Sequence, residues 1–251
     1  MKITFLGTGT SDGVPMVACG CRVCRSRDRR DNRTRTSAMI EHEGKRIIID
    51  TGIDFRAQML RHRVNRIDAI MLTHPHADHV FGLDELRQYN RIAGTIPIYA
   101  NRYTIGEIHT RFGYFFNPPQ RGGGVSDIDL IEMKRPMQVC GLTVTPLPVR
   151  HGILDILGFQ IEDTAYITDA SFIPETVLKK IRGCSVLVLN ALRYRKHPTH
   201  FNIAQAVAIA EQVKAKHTYF VHMTHDVMHR ELVRELPRGM APAYDGLSLT
   251  V

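Results

Sequence analysis

The sequence lacks the features of a membrane or secreted protein. No apolar run in its 251 residues approaches the roughly 18–20 residues of a membrane-spanning helix. The opening residues, MKITFLGTGT, contain neither an apolar signal core nor a small-residue cleavage site, and are typical of a first β-strand. We therefore expect a cytoplasmic protein with no membrane contact.

Cysteines are few and unsuited to a disulfide framework. There are five, an odd number, and three of them (Cys19, Cys21 and Cys24) fall within a span of six residues. A disulfide scaffold needs paired, separated cysteines and an oxidising compartment, and neither is indicated. Cys140 and Cys184 lie in strand-like runs, where we expect small buried apolar side chains.

Acidic residues are also in deficit. The sequence contains 25 Asp and Glu residues and 33 Lys and Arg residues, which gives a net charge of +8. Such a surplus favours anionic partners, including phosphates and nucleic acid. Residues 25–35 (RSRDRRDNRTR) hold six arginines and two aspartates. Because these aspartates can pair with neighbouring arginines, a solvated loop is the simpler interpretation of this segment.

The hydrophobic pattern predicts an α/β protein in a single domain over residues 1–251. No linker, low-complexity tract or short repeat interrupts the chain. Strand patterns cover residues 2–6, 37–42, 45–50, 69–73, 96–100, 138–149, 158–168, 185–191 and 217–222, with Glu43-Gly44 as a tight turn. Helical patterns cover residues 81–91, 174–181, 203–213 and 225–236, the third with Asn202 as its N-cap.

A cluster of metal-ligand residue types follows the predicted strand at 69–73. The segment LTHPHADH places His74, His76, Asp78 and His79 within six positions. Side chains two apart on an extended backbone point the same way, so His74 and His76 can bind one ion. Asp78 and His79 lie further along and point towards a second ion. Imidazole and carboxylate ligands suit zinc, manganese or iron.

Three distant residues complete this set of ligands. His151, Asp169 and His222 each lie at or just past the end of an apolar strand pattern. A carboxylate can hold two cations through its two oxygens, so Asp169 is the candidate for a bridging ligand. The predicted dinuclear site thus contains His74, His76, Asp78, His79, His151, Asp169 and His222.

The motif T-H-x-H-x-D-H at residues 73–79, followed by these three ligands in this order, resembles the metallo-β-lactamase superfamily. The resemblance implies a four-layer αββα sandwich with two divalent metals at one edge of the sheets. It also implies that His74, His76 and His151 hold the first metal and that Asp78, His79 and His222 hold the second. Asp169 would bridge the two, and Asp78 would be both a ligand and a catalytic residue.

The cysteine loop, residues 19–24 (CGCRVC), predicts a structural zinc site. Three cysteines and one histidine are a common closed zinc set. His225 is the best fourth ligand, because it lies three residues after His222. One turn could then serve both metal sites. A redox pair of Cys21 and Cys24 is the alternative, but it leaves Cys19 without a role.

These cysteines, with TGTSDGVP, VHMTH and a final YDG, resemble the phosphodiesterase family of the carbon–phosphorus lyase pathway. The resemblance implies hydrolysis of a phosphoribosyl 1,2-cyclic phosphate or a similar small diester by hydroxide shared between two metals, zinc or manganese. Members of this family often form homodimers. Two alternatives remain: an RNA-processing nuclease of the transfer-RNA 3′-end type, whose protruding arm would fall at NPPQRGGG (residues 117–124), and an acyl or thioester hydrolase.

The leaving alkoxide needs a proton donor. His200, just before a predicted helix, is the candidate, and it resembles the histidine that related nucleases and phosphodiesterases place beside the scissile phosphate. His197, three residues earlier, is the competing candidate.

Overall fold

Two seven-stranded β-sheets form the centre of the fold in the computed structural model, which describes residues 1–118 and 124–251. In spatial order the first sheet contains β14 (Ser248–Thr250), β1 (Lys2–Gly7), β2 (Ser37–His42), β3 (Lys45–Ile49), β4 (Ala69–Met71), β5 (Ile96–Ala100) and β6 (Ile128–Glu132). The second contains β13 (Met240–Pro242), β12 (His217–Val221), β11 (Val186–Asn190), β10 (Thr164–Ile167), β9 (Leu154–Ile161), β8 (Leu142–His151) and β7 (Met137–Val139).

Helices lie on the outer face of each sheet. They are α1 (Phe55–Arg61), α2 (Ala77–Val80), α3 (Leu86–Ala93), α4 (Arg102–Arg111), α5 (Gly113–Phe116), α6 (Glu175–Ile181), α7 (Ile203–Val213) and α8 (His229–Glu235). One apolar cluster joins the two sheets, a second packs α6, α7 and α8 on the second sheet, and a third packs α1, α3 and α4 on the first. This arrangement of layers confirms the predicted αββα sandwich.

Parallel strand pairs explain why the ligand candidates can meet. The neighbours β3, β4 and β5 run parallel, as do β10, β11 and β12. The carboxyl ends of these strands therefore lie at a common edge of each sheet. His74, Asp169 and His222 all follow such ends, so the fold brings them to one place.

The tight turn at Glu43-Gly44 is confirmed, with both residues at positive φ (47° and 75°) as a type I′ hairpin requires. Two long strand predictions were wrong, because 138–149 and 158–168 each contain a hairpin. Cys140 (φ 51°) and Gly141 (φ 84°) turn the first, and Glu162 (φ 49°) turns the second. Neither turn contains the Asn-Gly pair that commonly marks a tight hairpin, so the hydrophobic pattern predicted one continuous strand in each case.

Two details of side-chain and helix placement also differ from prediction. Cys140 is a half-buried turn residue rather than a strand residue, whereas Cys184 is buried just before β11. The helical pattern at 81–91 resolves into a 3₁₀ turn at Leu83–Glu85 and then α3. The pattern at 225–236 becomes helical only at His229, because residues 222–227 are held by hydrogen bonds to the N-terminal loops.

The capping prediction for α7 is confirmed. The Asn202 side chain accepts from the Gln205 backbone N–H, and the Gln205 side chain accepts from the Asn202 N–H. Throughout residues 1–118 and 124–251, no helix combines the length and apolarity needed to cross a bilayer. The segment NPPQRGGG, which was compared with a nuclease arm, falls mostly at residues 119–123, outside the described part of the chain.

Candidate metal centre

The histidine cluster occupies the turn between β4 and α2. His74 and His79 are completely buried and Asp78 is nearly so, while His76 is partly exposed. Their donor atoms fall into three groups, and within each group all the atoms lie within 4.8 Å of one another. The groups are His74, His76 and His151; Asp78, His79, Asp169 and His222; and His151, Asp169 and His200.

The first two groups match the two predicted ligand sets. Asp169 belongs to the second and third groups, so its carboxylate lies where the sets meet. One of its oxygens lies 3.0 Å from His222 Nε2 and the other 3.4 Å from His79 Nε2. This position fits the bridging role predicted for Asp169, which stays a prediction.

Hydrogen bonds at Nδ1 fix the orientation of four histidine rings. His74 Nδ1 lies 2.9 Å from Thr73 Oγ1, and His222 Nδ1 lies 3.2 Å from Thr36 Oγ1. Both hydroxyls donate elsewhere, to Asp50 and to the Gly9 carbonyl, so each accepts from the ring. His151 Nδ1 donates to the Thr199 carbonyl at 2.7 Å, and His79 Nδ1 to Asp50 at 2.7 Å. With hydrogen on Nδ1, each of these rings presents an Nε2 lone pair whenever it carries no second proton.

Asp50 is a buried residue of this site that was not predicted from the sequence. It is completely buried and also accepts from the Thr73 N–H and Oγ1, each at 2.8 Å. Asp50 therefore links the start of the histidine motif to its last histidine. The available signal was its position: Asp50 directly follows an apolar strand, as Asp169 nearly does.

The backbone is strained at three of these strand ends. Asp50, Asp169 and His222 all have φ near +60°. Residues other than glycine rarely adopt this left-handed conformation, which costs about 1–3 kcal/mol. Here it turns each side chain from the strand direction into the shared cluster.

The nitrogen and oxygen atoms that meet in this site are suited to binding divalent cations. Among residues 1–118 and 124–251, buried His79 Nε2 has no hydrogen-bond partner, although oxygens of Asp78 and Asp169 lie 3.2 and 3.4 Å away. His200 Nδ1 is likewise buried without a partner. His74 Nε2 lies 3.0 Å from His76 Nδ1. A divalent ion would satisfy this convergence of imidazole nitrogens and carboxylate oxygens.

Electrostatics favour a charged Asp169 and a charged His79 at this centre. Burial opposes the ionisation of Asp169, but the nearby rings, His222 and His79 foremost, hold its pKa well below the usual range. Burial likewise disfavours a charged His79, yet Asp78 and Asp169 raise its pKa well above the ordinary value. Metal binding must therefore displace a proton from His79.

Of the two proton-donor candidates, only His200 joins the cluster. Its ring lies 4.5 Å from that of His151, and its Nδ1 is 3.7 Å from Asp169. Burial lowers the pKa of His200 to about 3, so its ring is neutral near pH 7. His197 is more exposed, and its Nδ1 accepts from the Thr199 N–H and lies 3.2 Å from the Thr199 hydroxyl.

The cysteine loop forms a second cluster. Donor atoms of Cys19, Cys21, Cys24 and His225 lie within 4.8 Å of one another. His225 Nδ1 is 3.2 Å from the Cys19 sulfur and 3.4 Å from the Cys21 sulfur. Burial opposes ionisation of Cys21, but hydrogen bonds from the Cys24 N–H and from His225 outweigh it and lower the pKa of this thiol to about 6.

A buried ion pair further along the chain than the cysteine loop is bonded to the turn that follows His222. Arg33 is 1% exposed and contacts Asp31 at 3.0 Å. Its guanidinium also donates to the backbone carbonyls of Thr224 and Val227. These contacts join Arg33 to residues 224–227, just past His222. Separately, Cys21 and Cys24 pack against the apolar cluster of Val14, Val23 and Met228.

This fold and its histidine–aspartate cluster define a metal-dependent hydrolase of the metallo-β-lactamase type. The family model described as "Beta-lactamase superfamily domain" matches residues 45–223, and the chain belongs to the β-lactamase superfamily. Within it, the chain is similar to a crystal structure of a diphosphatase of the PhnP family. The two share 42% identity and a TM-score of 0.93, over 100% of this chain and 97% of that one.

Curated relatives carry several different activities. An octanoyltransferase of Porphyromonas gingivalis is 40% identical over 100% of this chain and 52% of its own length. A ribonuclease Z of Bradyrhizobium diazoefficiens is 28% identical over 65% of this chain and 50% of its own length. The chain thus spans about half the length of these two relatives, so their names do not fix its substrate.

Proposed function

We propose that this protein hydrolyses a small phosphodiester, of the cyclic phosphate or nucleotide-like type, with two divalent metals, zinc or manganese. The observation that carries the proposal is the position of His200, which is not needed to complete either predicted ligand set yet lies beside both. Similarity along the whole chain to a PhnP-family diphosphatase supports phosphoryl rather than carbonyl chemistry.

The predicted ligands divide into two sets, one for each cation. His74, His76 and His151 would hold one cation, and Asp78, His79 and His222 the other, with Asp169 between them. When bound, the cations supply a low-pKa water as nucleophile and take up charge on the phosphoryl oxygens.

Hydrogen bonds within the protein orient the histidine rings of the site. The Nδ1–H bonds to Thr73, Asp50, Thr199 and Thr36 keep four Nε2 atoms aimed inward, which removes the cost of ordering them during turnover. A neutral His200 carries one ring hydrogen. It can therefore donate a hydrogen bond to a phosphoryl or leaving-group oxygen beside Asp169.

The cysteine cluster is proposed to hold one structural zinc. Three thiols and one imidazole are a complete tetrahedral set, with no open position for chemistry. The ion would fix the N-terminal loop against residues 222–228. It would have no direct part in hydrolysis.

An activity panel on metal-reconstituted protein tests the proposal. It should contain a ribose 1,2-cyclic phosphate, 2′,3′-cyclic AMP, a dinucleoside diphosphate, precursor transfer RNA and a thioester. We expect turnover of at least one small phosphate substrate, and its loss after chelation with return on adding Zn²⁺ or Mn²⁺. Turnover of the thioester alone would refute this proposal and indicate an acyl hydrolase instead.

Nuclease activity is the second candidate, favoured by the ribonuclease Z relative and by the basic loop. Arg25, Arg27 and Arg29 are exposed, and within the described ranges no acidic side chain pairs with them. A nuclease that uses these arginines should bind RNA with a steep salt dependence. Cleavage of precursor transfer RNA, with weaker binding after all three are changed to Ser, would favour it.

A further inference from the structure

We propose that Arg111 is a positioning residue for His76, and through it for the first of the two cations. The inference rests on the proposed metal centre and adds a residue that neither ligand set contains. His76 follows Pro75 in the turn between β4 and α2, and the Arg111 guanidinium donates to the Pro75 carbonyl. Arg111 therefore holds the peptide group that leads directly into a predicted ligand.

His76 is the predicted histidine ligand whose ring has the fewest hydrogen bonds to the rest of the protein. The other four rings each form a hydrogen bond at Nδ1 to a group outside the ligand sets; they are His74, His79, His151 and His222. In the part of the chain that the structure describes, the His76 ring has one hydrogen-bonding neighbour, His74 Nε2, at 3.0 Å from its Nδ1. That atom is itself a predicted metal donor. The position of His76 therefore depends on its backbone.

The backbone is hydrogen-bonded on both sides of His76. Its own carbonyl accepts from the His79 N–H at 2.9 Å and from the Val80 N–H at 3.1 Å, at the start of α2. On the other side, Pro75 has no N–H, so its carbonyl is the one backbone group of that residue that can form a hydrogen bond. Arg111 is the donor to this carbonyl. Removing Arg111 would remove the hydrogen bond that orients the peptide group before His76.

Arg111 is itself held in place at the end of α4. Its guanidinium lies 2.7 Å from the Glu107 carboxylate, one helical turn earlier. The next residue, Phe112, is buried and packs edge-to-face on Phe81, with ring centroids 6.1 Å apart. Two consecutive residues thus contact both ends of the segment 75–81, which carries three of the predicted ligands.

The charge of Arg111 allows positioning to be separated from electrostatics. A guanidinium beside the metal turn repels a divalent cation, so its removal would, through charge alone, strengthen metal binding. Loss of the bond to the Pro75 carbonyl acts in the opposite direction, because losing an outer hydrogen bond that orients a metal ligand costs about 10- to 100-fold in affinity. Weaker metal binding in a neutral variant therefore reports lost positioning.

The test is a chelator competition on protein loaded with Mn²⁺, in which mass-spectrometric analysis counts the Mn²⁺ retained per chain. Zinc in the cysteine cluster is counted separately, because thiolates select zinc over manganese. Arg111→Met should release one of the two Mn²⁺ ions at an about 10- to 100-fold lower chelator concentration than the wild type, and the other ion as the wild type does. Arg111→Lys, which keeps a donor for the carbonyl, should retain both ions.

A double-mutant cycle assigns the effect to His76. His76→Ala should retain one Mn²⁺, and adding Arg111→Met should change the release of that ion by no more than about 2-fold. Arg102→Met makes the same charge change at the exposed first residue of α4 and should retain both ions. Wild-type retention in Arg111→Met, equal weakening of both ions, or a further loss in the double variant would refute the positioning role.

Two further measurements distinguish this inference from a folding effect and from the proposed reaction. The Tm of metal-free Arg111→Met should fall by about 2–4 °C, as for the loss of one hydrogen bond; a larger fall with loss of both ions would indicate a general structural role and overturn the inference. If the wild type hydrolyses no phosphodiester but Arg111→Met still loses one ion, the inference stands and the reaction fails. If cyclic phosphates are hydrolysed and Arg111→Met retains both ions, the reaction stands and the inference fails.

Discussion

Replacing Asp50 by Asn should weaken metal binding without touching any predicted ligand. One Asp50 oxygen accepts from the Thr73 N–H, and the other accepts from the Thr73 hydroxyl and His79 Nδ1. An amide has one oxygen and one NH₂ group, so in either orientation a donor faces a donor. If NH₂ faces His79, the ring hydrogen moves to Nε2, which then cannot bind metal.

The magnitude follows from this geometry. Losing an outer hydrogen-bond partner of a metal-binding histidine reduces metal affinity about 10- to 100-fold. An unsatisfied buried donor costs about 1–3 kcal/mol of unfolding free energy. For a chain of this length each kcal/mol lowers Tm by about 2–4 °C, so we expect a drop of about 2–12 °C.

The assay is chelator competition monitored by mass-spectrometric metal analysis, with thermal denaturation of the metal-free protein beside it. Asp155→Asn makes the same charge change at an exposed side chain and should match the wild type in both measurements. An Asp50→Asn protein that retains wild-type metal affinity and Tm would refute the reasoning, because its hydrogen bonds would then not control His79.

The remaining predictions concern the other groups. His200→Ala should lower kcat about 10²- to 10³-fold, as for loss of one hydrogen-bond donor to developing charge, with unchanged metal content; a near-normal rate would remove His200 from the reaction. Cys21→Ser should reduce bound zinc by one ion per chain and lower Tm, whereas unchanged stoichiometry would exclude the structural site. Because the pKa of Cys21 is lowered to about 6, iodoacetamide labelling of the Cys21 thiol itself, followed by peptide mass spectrometry on metal-free protein, should rise to half its maximum near pH 6, and a midpoint near 9 would contradict this. Asn202→Ala should cost about 1 kcal/mol, seen as a small fall in Tm.

The histidine–aspartate cluster could be predicted because its signals are local. The spacing from His74 to His79 sets which side chains share a face, and His151, Asp169 and His222 each follow an apolar strand. Which nitrogen of each ring faces inward could not be predicted, because that depends on Thr36, Asp50 and Thr199, which come from other strands and loops.

The strands and helices that form the four layers could be predicted because their sequence signals are also local. The errors in their bounds have physical causes. Alternating apolar residues indicated the strands. Cys140 and Glu162 adopt positive φ although neither is Asn or Gly, so two hairpins looked like single strands. The start of α8 depends on contacts between residues 222–227 and distant loops, for which a helical pattern carries no information.

The three left-handed strand ends have a consequence for anyone evolving this protein. Glycine at Asp50, Asp169 or His222 would relax the backbone, but at Asp50 it would also leave the buried donors of Thr73 and His79 without an acceptor. At each of the three positions the variant would lose a group on which the predicted metal centre depends. Libraries built on this scaffold should therefore keep these codons fixed, or be sorted for turnover in the same round as for survival on heating.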